Sequence, residues 1–274
     1  MGDYRRKLFL GTQFPRLAIL LAALVLYSSA ASPWFALRGL SVAFPTPVET
    51  TRSETPAVVV TPSEALIPDI SATELAADQA ALAASNLRFI SQGQADATLG
   101  GAARTNALIS MYFIDGYVIE PGARFSFDDV ARTWDLREDP SYLWSVGTTR
   151  YGLVSMRGGG ACWVSTALWR AALYAGLPTE YRQNHLGALP NLGIGTDATN
   201  TLVIRNDSEQ PITVRAWMDD EAINVALLAS DKMDRKGNVR GPTRAAPGSY
   251  VLYQDVTWDD GRVTTTPFYS GYYW

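Results

Sequence analysis

The hydrophobic and polar positions divide the chain into three parts. From Leu17 to Leu37, 21 consecutive residues carry no charge, and as a helix they would be about 31 Å long, close to the thickness of a bilayer core. Residues 39–71 are rich in Pro, Thr, Ser and Glu and lack periodicity, which is typical of an extended tether. We therefore predict a cytoplasmic stub with a signal anchor or signal peptide over residues 1–38, and a folded domain over residues 72–274.

The orientation of the apolar segment follows from the charges that precede it. Arg5, Arg6, Lys7 and Arg16 lie on its N-terminal side, and basic residues favour the cytoplasmic side. The segment is long enough to remain as an anchor, but a cleaved signal peptide ending at Ala31 is the alternative. Both alternatives export the domain, so we expect a single-pass protein of the cell membrane with an extracytoplasmic domain, or a secreted one if the signal is cleaved.

The first half of the folded part mixes helix and irregular patterns. Apolar spacing predicts helices over Ala72–Ser91, with Gly93 as the stop, and over Arg104–Ile114. Two short strands are expected at Tyr117–Glu120 and Arg124–Phe127. Residues 128–157 show no regular pattern and are predicted to be irregular.

The second half begins with one clear helix and continues as strands. Three glycines precede a run of good helix formers that ends at Gly176, which predicts a helix starting near Cys162. The later signal is mostly that of strands, which are predicted at Leu202–Arg205, Ile212–Trp217, Ala222–Leu228, Tyr250–Trp258 and Val263–Tyr269. The predicted class is α+β, with the cysteine-bearing helix packed on an antiparallel sheet and with Thr201–Val214 as two adjacent strands.

The stretch around Cys162 is the candidate site because it holds the single cysteine and ends at the single histidine, His185. At a helix N-terminus, unpaired N–H groups and the helix dipole stabilise a thiolate. A short strand over Thr179–Asn184 can return His185 towards the helix start, where it would act as base. We expect the sulfur within about 4 Å of the ring. A buried structural cysteine and a loop-capping histidine are the plain alternatives.

An imidazole base needs an acceptor to orient it, and Asp197 is the first candidate, with Asn184 and Asn200 as weaker ones. Close backbone approach at the glycine run suits an oxyanion-binding loop. The order cysteine, histidine, acid is that of papain-like and transglutaminase-like enzymes. The predicted substrate-binding and oxyanion residues are Gly158, Gly159, Gly160, Trp163 and Ser165; Ser165 lacks the G-x-S-x-G setting of a nucleophile.

Charge and composition exclude several partners. Of 23 basic and 27 acidic residues, five basic and one acidic lie in residues 1–38, which leaves 18 basic and 26 acidic ones and a net charge of −8. Such a domain has no electrostatic footprint for nucleic acid. One cysteine allows no internal disulfide, and no CxxC or HxxH spacing begins a zinc site. We expect neither a metal nor another cofactor.

The same residues carry a resemblance to the VanW-like family, named for a protein associated with vancomycin-resistance clusters. The matching pieces are PGARFSFDDV (121–130), GGGACWVSTALWRAALYAGL (158–177), the His185 region, GTDAT (195–199), LVIRNDSEQPITV (202–214) and the terminal DGRVTTTPFYSGYY (260–273). The resemblance implies a bacterial cell-envelope protein linked to peptidoglycan. In that family Gln usually follows the motif cysteine, where this chain has Trp163, and Ser usually follows the histidine, where it has Leu186.

Two functions follow from these observations. The first is a thiol hydrolase or acyltransferase that uses Cys162, His185 and Asp197 on peptidoglycan-related amide bonds. The second is a non-catalytic envelope module that binds peptidoglycan or a partner protein through aromatic side chains, although ordinary packing explains most such residues. The candidate aromatics are Trp134, Tyr142, Trp144, Tyr151 and the tail Tyr269–Trp274.

Overall fold

The computed structural model describes residues 86–133, 141–149 and 152–273. The predicted membrane segment Leu17–Leu37, the tether over 39–71 and residues 72–85 of the first predicted helix lie outside the described residues. Among the residues that are described, no helix is both long enough and apolar enough to cross a membrane.

Within these ranges helices and strands alternate irregularly along the chain. The helices are α1 (Gly101–Ile114), α2 (Phe127–Val130) and α3 (Ala161–Ala175), with a 3-10 helix at Pro190–Leu192. The strands are β1 (Arg88–Asp96), β2 (Val118–Ile119), β3 (Arg124–Ser126), β4 (Trp144–Thr149), β5 (Gly152–Arg157), β6 (Thr179–Tyr181), β7 (Val203–Arg205), β8 (Ile212–Met218), β9 (Ala222–Ala229), β10 (Arg235–Ala246), β11 (Ser249–Trp258) and β12 (Val263–Gly271).

The main sheet is antiparallel and has the strand order β1-β9-β8-β2. Along β1 the buried positions are Ser91, Gly93 and Ala95, three small residues at the two-residue spacing of a strand face. Their small size lets α3 lie directly on β1: a Cβ at Gly93 would come within 2.0 Å of the Ala167 carbonyl oxygen. The Ser91 hydroxyl donates to the Ala171 carbonyl at 2.8 Å and fixes this contact.

Helix α3 is bounded at both ends by glycines. Their backbone conformations are ones that residues with a side chain rarely adopt. Gly160 precedes it with φ +111°, and Gly176 follows it with φ +73°. A Cβ at Gly160 would come within 2.2 Å of the Ala103 carbonyl oxygen in α1. The glycines therefore fix both the ends of α3 and its approach to α1.

Three smaller antiparallel sheets surround α3, with the strand orders β3-β7-β6, β10-β11-β12 and β4-β5. The C-terminal sheet β10-β11-β12 packs against the helix. The Gln254 amide donates to the Leu173 carbonyl at 2.9 Å, and Trp169 meets Phe268 edge to face with ring centroids 5.4 Å apart. Helix α3 is thus held by both the main sheet and the C-terminal sheet.

The predicted α+β class with antiparallel sheets is confirmed, but three local predictions are wrong and one strand was missed. Residues 88–91 form strand rather than helix, and residues 144–149 and 152–157 form the paired strands β4 and β5 rather than irregular chain. The polar strand β10 was not predicted. The strands within Thr201–Val214 are not adjacent, because β7 pairs with β3 and β6 whereas β8 pairs with β9 and β2.

Candidate functional site

Cys162 lies in the first turn of α3, as predicted. Backbone hydrogen bonds form a tight turn around this position. The Ala161 N–H donates to the Gly158 carbonyl and the Trp163 N–H donates to the Gly160 carbonyl, both at 3.2 Å. Cys162 is partly exposed, while its neighbour Ala161 is fully buried. The cysteine is therefore accessible at a helix N-terminus, where backbone N–H groups favour an anion.

His185 follows the short strand β6 and is held by Asp197 through two hydrogen bonds. Its ring Nδ1 lies 2.7 Å from Asp197 Oδ2, and its backbone N–H donates to the same oxygen at 2.7 Å. Both residues are buried, with 7% and 2% of their surfaces exposed. Because one carboxylate oxygen holds both the ring and its backbone, the imidazole plane is fixed, and Nε2 is the nitrogen left for Cys162.

The other oxygen of Asp197 is held by two residues that the sequence did not single out as site residues. The Tyr272 hydroxyl donates to Oδ1 at 2.5 Å and accepts the Gly195 N–H at 2.6 Å. The Arg182 guanidinium lies 3.5 Å from Oδ1 and donates through Nε to the Asp197 carbonyl at 2.7 Å. Arg182 precedes His185 by three residues, whereas Tyr272 lies in the terminal aromatic run and is brought in by the C-terminal sheet.

Ser165 and Thr166 tie the Asp197 loop to the helix that carries Cys162. Both hydroxyls donate to the Ala198 carbonyl, at 2.9 and 3.1 Å, and the Ala198 N–H donates back to the Thr166 hydroxyl at 3.0 Å. Ser165 is fully buried and also donates to the Cys162 carbonyl. The structure therefore places Ser165 as a fastening between the loop and the helix rather than as a group facing a substrate.

The predicted oxyanion loop is largely engaged in packing. The Gly158 N–H donates to the Leu143 carbonyl at 3.0 Å, and the Gly159 carbonyl accepts from the Asn106 amide at 2.9 Å. A Cβ at Gly159 would come within 2.3 Å of the Val146 carbonyl oxygen. These glycines hold the start of α3 against β4, and Gly158 has no free N–H for an oxyanion.

Trp163 was predicted as a substrate-binding residue, and Asn184 and Asn200 were predicted as weaker acceptors for the imidazole. Their contacts in the structure are different. Trp163 is partly buried and packs against the core, but its indole N–H is buried without a hydrogen-bond partner. The Asn184 amide donates to the His185 and Gly271 carbonyls, both at 2.7 Å, so it braces the chain around the histidine and not its ring. The side-chain amide oxygen Oδ1 of Asn200 is buried without a hydrogen-bond partner. Asp197 is the predicted acceptor that contacts the imidazole.

Electrostatics favour a charged histidine at this site. Burial is the largest influence on the pKa of His185 and lowers it, but attraction to Cys162 and hydrogen bonds with Asp197 and Cys162 outweigh burial and raise the pKa to about 10. Burial raises the pKa of Asp197, yet hydrogen bonds from His185 and Tyr272 bring it below its usual value. Burial and the nearby Asp197 raise the pKa of Tyr272. At neutral pH the arrangement is an imidazolium between Cys162 and an ionised carboxylate, with a neutral phenol as donor.

The aromatic residues predicted as binding contacts fall into different environments. Tyr142 is buried, and its hydroxyl donates to the Ala131 carbonyl at 2.6 Å, so it is a core residue. Trp144, Tyr269 and Tyr273 are between 62% and 73% exposed. Trp134, Tyr151 and Trp274 lie outside the described residues. The remaining described aromatic of the tail, Tyr272, is the buried donor to Asp197.

A groove and the charged clusters elsewhere in the described part of the chain are separate from Cys162. A groove of about 650 Å³ runs beside Gln92, Gln94, Arg170 and Tyr174 but does not reach Cys162. The Arg170 guanidinium in this groove is already bonded to the Gln94, Leu192 and Thr196 carbonyls. Among the described residues, no three His, Cys, Asp or Glu side chains cluster so that they could hold a metal ion.

Comparison with known proteins identifies a segment that contains the predicted site. Residues 102–228 match the family model described as VanW like protein. The chain is 30% identical over 138 residues to Uncharacterized protein YoaR of Bacillus subtilis (strain 168), an alignment that covers 48% of this chain and 44% of that relative. The chain thus spans less than half the length of the relative. No solved structure matches the chain. The resemblance predicted from the sequence is confirmed, and the chain carries a VanW-like domain at residues 102–228.

Proposed function

We propose that the protein is a thiol-dependent hydrolase or acyltransferase of the cell envelope that acts on an amide bond of peptidoglycan or a related peptide. Cys162 is the nucleophile, His185 the general acid and base, and Asp197 the orienting carboxylate. The observation that carries the proposal is the His185 ring, held at Nδ1 by Asp197 at 2.7 Å and interacting with Cys162 at the start of α3. A nucleophile at the start of a helix, an imidazole and a carboxylate that orients the imidazole are the groups that thiol acyl transfer requires.

The reaction follows from these positions. The Cys162 sulfur attacks the amide carbonyl carbon, and His185 gives its proton to the leaving nitrogen as the C–N bond breaks, which leaves a thioester on Cys162. Water or an acceptor amine then loses a proton to His185 and attacks the thioester carbonyl. The Cys162–acyl bond breaks and the thiolate returns. Water as acceptor gives a carboxylic acid, and an amine gives a new amide.

The backbone N–H of Cys162 is the candidate oxyanion donor. The neighbouring N–H groups of Ala161 and Trp163 are engaged by the Gly158 and Gly160 carbonyls, and the Gly158 N–H is engaged by Leu143. The helix dipole of α3, which is 15 residues long, adds to the positive potential at this end. One oriented donor of this kind stabilises a developing oxyanion by about 3–4 kcal/mol.

The cellular setting of the proposal rests on the family match and on the N-terminal sequence. The match to the VanW-like family implies a cell-envelope protein. The apolar segment Leu17–Leu37 follows basic residues that favour an extracytoplasmic domain. Protease treatment of intact spheroplasts should remove the folded domain. Full protection from the protease would contradict the proposed location.

The test of the chemistry uses the single cysteine of the chain. Iodoacetamide alkylates thiols to stable thioethers, and Cys162 is the single thiol of the chain. The increase in protein mass therefore reports the labelling of Cys162. Wild type should be labelled rapidly near neutral pH, and His185→Ala should slow labelling by about tenfold or more, because the imidazolium that stabilises the thiolate is lost. Gln183→Ala, two residues earlier on the same return segment, is the matched control and should label like wild type. Slow and equal labelling of wild type and His185→Ala would rule out an activated pair.

A non-catalytic binding module is the second candidate, favoured by the exposed apolar side chains of the β4–β5 hairpin. Trp144, Val146 and Leu153 are between 59% and 73% exposed, and the hairpin lies beside the turn that precedes Cys162. Substitution of Trp144 by Ala should then abolish sedimentation with purified peptidoglycan. Unchanged sedimentation would contradict this candidate.

A further inference from the structure

We propose that the last strand of the C-terminal sheet is part of the site, with Tyr272 as the residue that positions Asp197. This inference rests on the proposed function. Tyr272 lies beyond residues 102–228, the segment matched by the family model, and it follows β12 directly. A site built only from the matched segment would leave one carboxylate oxygen of Asp197 without its hydroxyl donor.

The contacts of Tyr272 are those of a positioning group. The phenol is 6% exposed, and its oxygen accepts the Gly195 N–H and donates to Asp197 Oδ1. One hydroxyl therefore connects two points of the 193–199 loop, one of them the carboxylate that holds His185. Because Tyr272 touches neither Cys162 nor the imidazole in these contacts, it acts through Asp197.

Strand β12 makes a second connection through Arg182. The Arg182 guanidinium donates to the Ser270 hydroxyl at 2.8 Å and to the Tyr269 carbonyl at 3.2 Å, and it donates to the Asp197 carbonyl. The cation also lies 4.3 Å from the centre of the Trp169 ring. The strand thus holds Arg182 at a fixed distance from Asp197, while Tyr272 holds the carboxylate directly.

The Tyr272 hydroxyl and the Arg182 guanidinium both approach Asp197 Oδ1. Their competition for this oxygen determines how the pKa of His185 should change when Tyr272 is substituted. Without the hydroxyl, Arg182 is the remaining side-chain donor near Oδ1, and the carboxylate is free to turn towards this cation. The turn lengthens the contact between Oδ2 and His185 Nδ1. The imidazolium then loses part of its stabilisation, and the pKa of His185 falls.

The test is a titration of His185 followed by NMR, which is unambiguous because the chain has one histidine. The measurement uses the full chain without a histidine tag. We expect Tyr272→Phe to lower the pKa of His185 by about one unit or more. Tyr250→Phe is the matched control, because Tyr250 stacks edge to face on Tyr272 at 5.9 Å but has no hydrogen bond to Asp197. It should titrate like wild type.

An unchanged or raised pKa in Tyr272→Phe would overturn the proposal. One lost hydrogen bond costs about 1–3 kcal/mol, which a folded domain normally tolerates. If Tyr272→Phe nevertheless fails to fold, Ser270→Ala tests the same strand through Arg182 and should lower the pKa by a smaller amount; no change would overturn the proposal. The titration does not depend on thiol reactivity, so it separates a failure of this inference from a failure of the thiol chemistry.

Discussion

At the scale of single residues, Asp197 determines the charge pattern of the site. A buried carboxylate is costly unless its oxygens are paired, and Asp197 is paired by donors from three residues. His185 contributes its ring and its backbone, Tyr272 its hydroxyl and Arg182 its guanidinium. The arrangement keeps Asp197 ionised and the imidazole charged at neutral pH.

Asp197→Asn removes the negative charge and keeps the shape. We expect the pKa of His185 to fall below its raised value, because the contribution of Asp197 that opposes burial is lost while the attraction to Cys162 remains. Alkylation of Cys162 near pH 6 should slow by about tenfold. NMR of the single histidine and mass spectrometry of the labelled cysteine measure the two effects. Asp207→Asn, at a carboxylate that pairs with Arg235 instead, is the control. A His185 pKa that stays near the wild-type value in Asp197→Asn would contradict this account.

The sequence predicted the contact between His185 and Asp197 because both residues lie in one short stretch after α3. The chain has one cysteine and one histidine, so only one cysteine–histidine pair had to be considered. Tyr272 was not identified, because it lies 75 residues from Asp197 and is surrounded by other aromatics. Nothing in a run of tyrosines indicates which hydroxyl is buried; the pairing of β11 with β12 decides it.

At the scale of elements, Gly93 explains why the first four residues of β1 were predicted as the end of a helix. A glycine after an alanine-rich run was interpreted as a helix stop, whereas it lies in mid-strand where α3 crosses. The small buried residues of β1 hide the alternation that usually marks a strand. Strand β8 was visible because Ile212 and Val214 occupy alternate buried positions, and β9 was visible because it is a continuous, almost wholly buried apolar run.

Gly93→Val should therefore be strongly destabilising. Any Cβ at this position comes within 2.0 Å of the Ala167 carbonyl and 2.4 Å of the Ala171 nitrogen, which are backbone atoms that cannot move without displacing α3. We expect a loss of about 3 kcal/mol or more in the free energy of unfolding, measured by urea denaturation. Gly100→Ala is the matched control, since a Cβ there meets nothing within 4 Å. Similar stabilities for the two variants would show that α3 does not lie on β1 as described.

At the scale of the whole molecule, the site joins the VanW-like segment to the C-terminal sheet. Cys162, His185 and Asp197 lie within residues 102–228, while Ser270 and Tyr272 lie outside. Because β12 is tied to the Asp197 loop through these residues, changes in the C-terminal sheet should reach the site. The order cysteine, histidine, acid holds along the chain, but it does not by itself establish a papain-like fold.

The free energy of unfolding should depend on pH, because His185 and Asp197 form a buried pair in the folded protein. The pKa of His185 is raised from 6.5 to about 10, so the folded state binds its proton more tightly than the unfolded chain. Its stabilising contribution is complete below 6.5 and is lost as the pH rises through about 10. The pKa of Asp197 is lowered from 3.8, so its contribution is present above that value and is lost as the pH falls.

The difference in unfolding free energy between wild type and His185→Gln should therefore be largest at about pH 5–6 and shrink steadily towards about pH 10. Glutamine keeps a polar group near Asp197 but cannot carry a positive charge. The pH dependence of the difference therefore reports the contribution of the imidazolium to the free energy of unfolding. Urea denaturation at a series of pH values measures it, with Gln183→Ala as a control whose difference from wild type should not vary with pH. A difference that stays flat or grows between about pH 6 and 10 would mean that His185 is not held as an imidazolium in the folded protein. Thiolate activation by this histidine would then lose its physical basis.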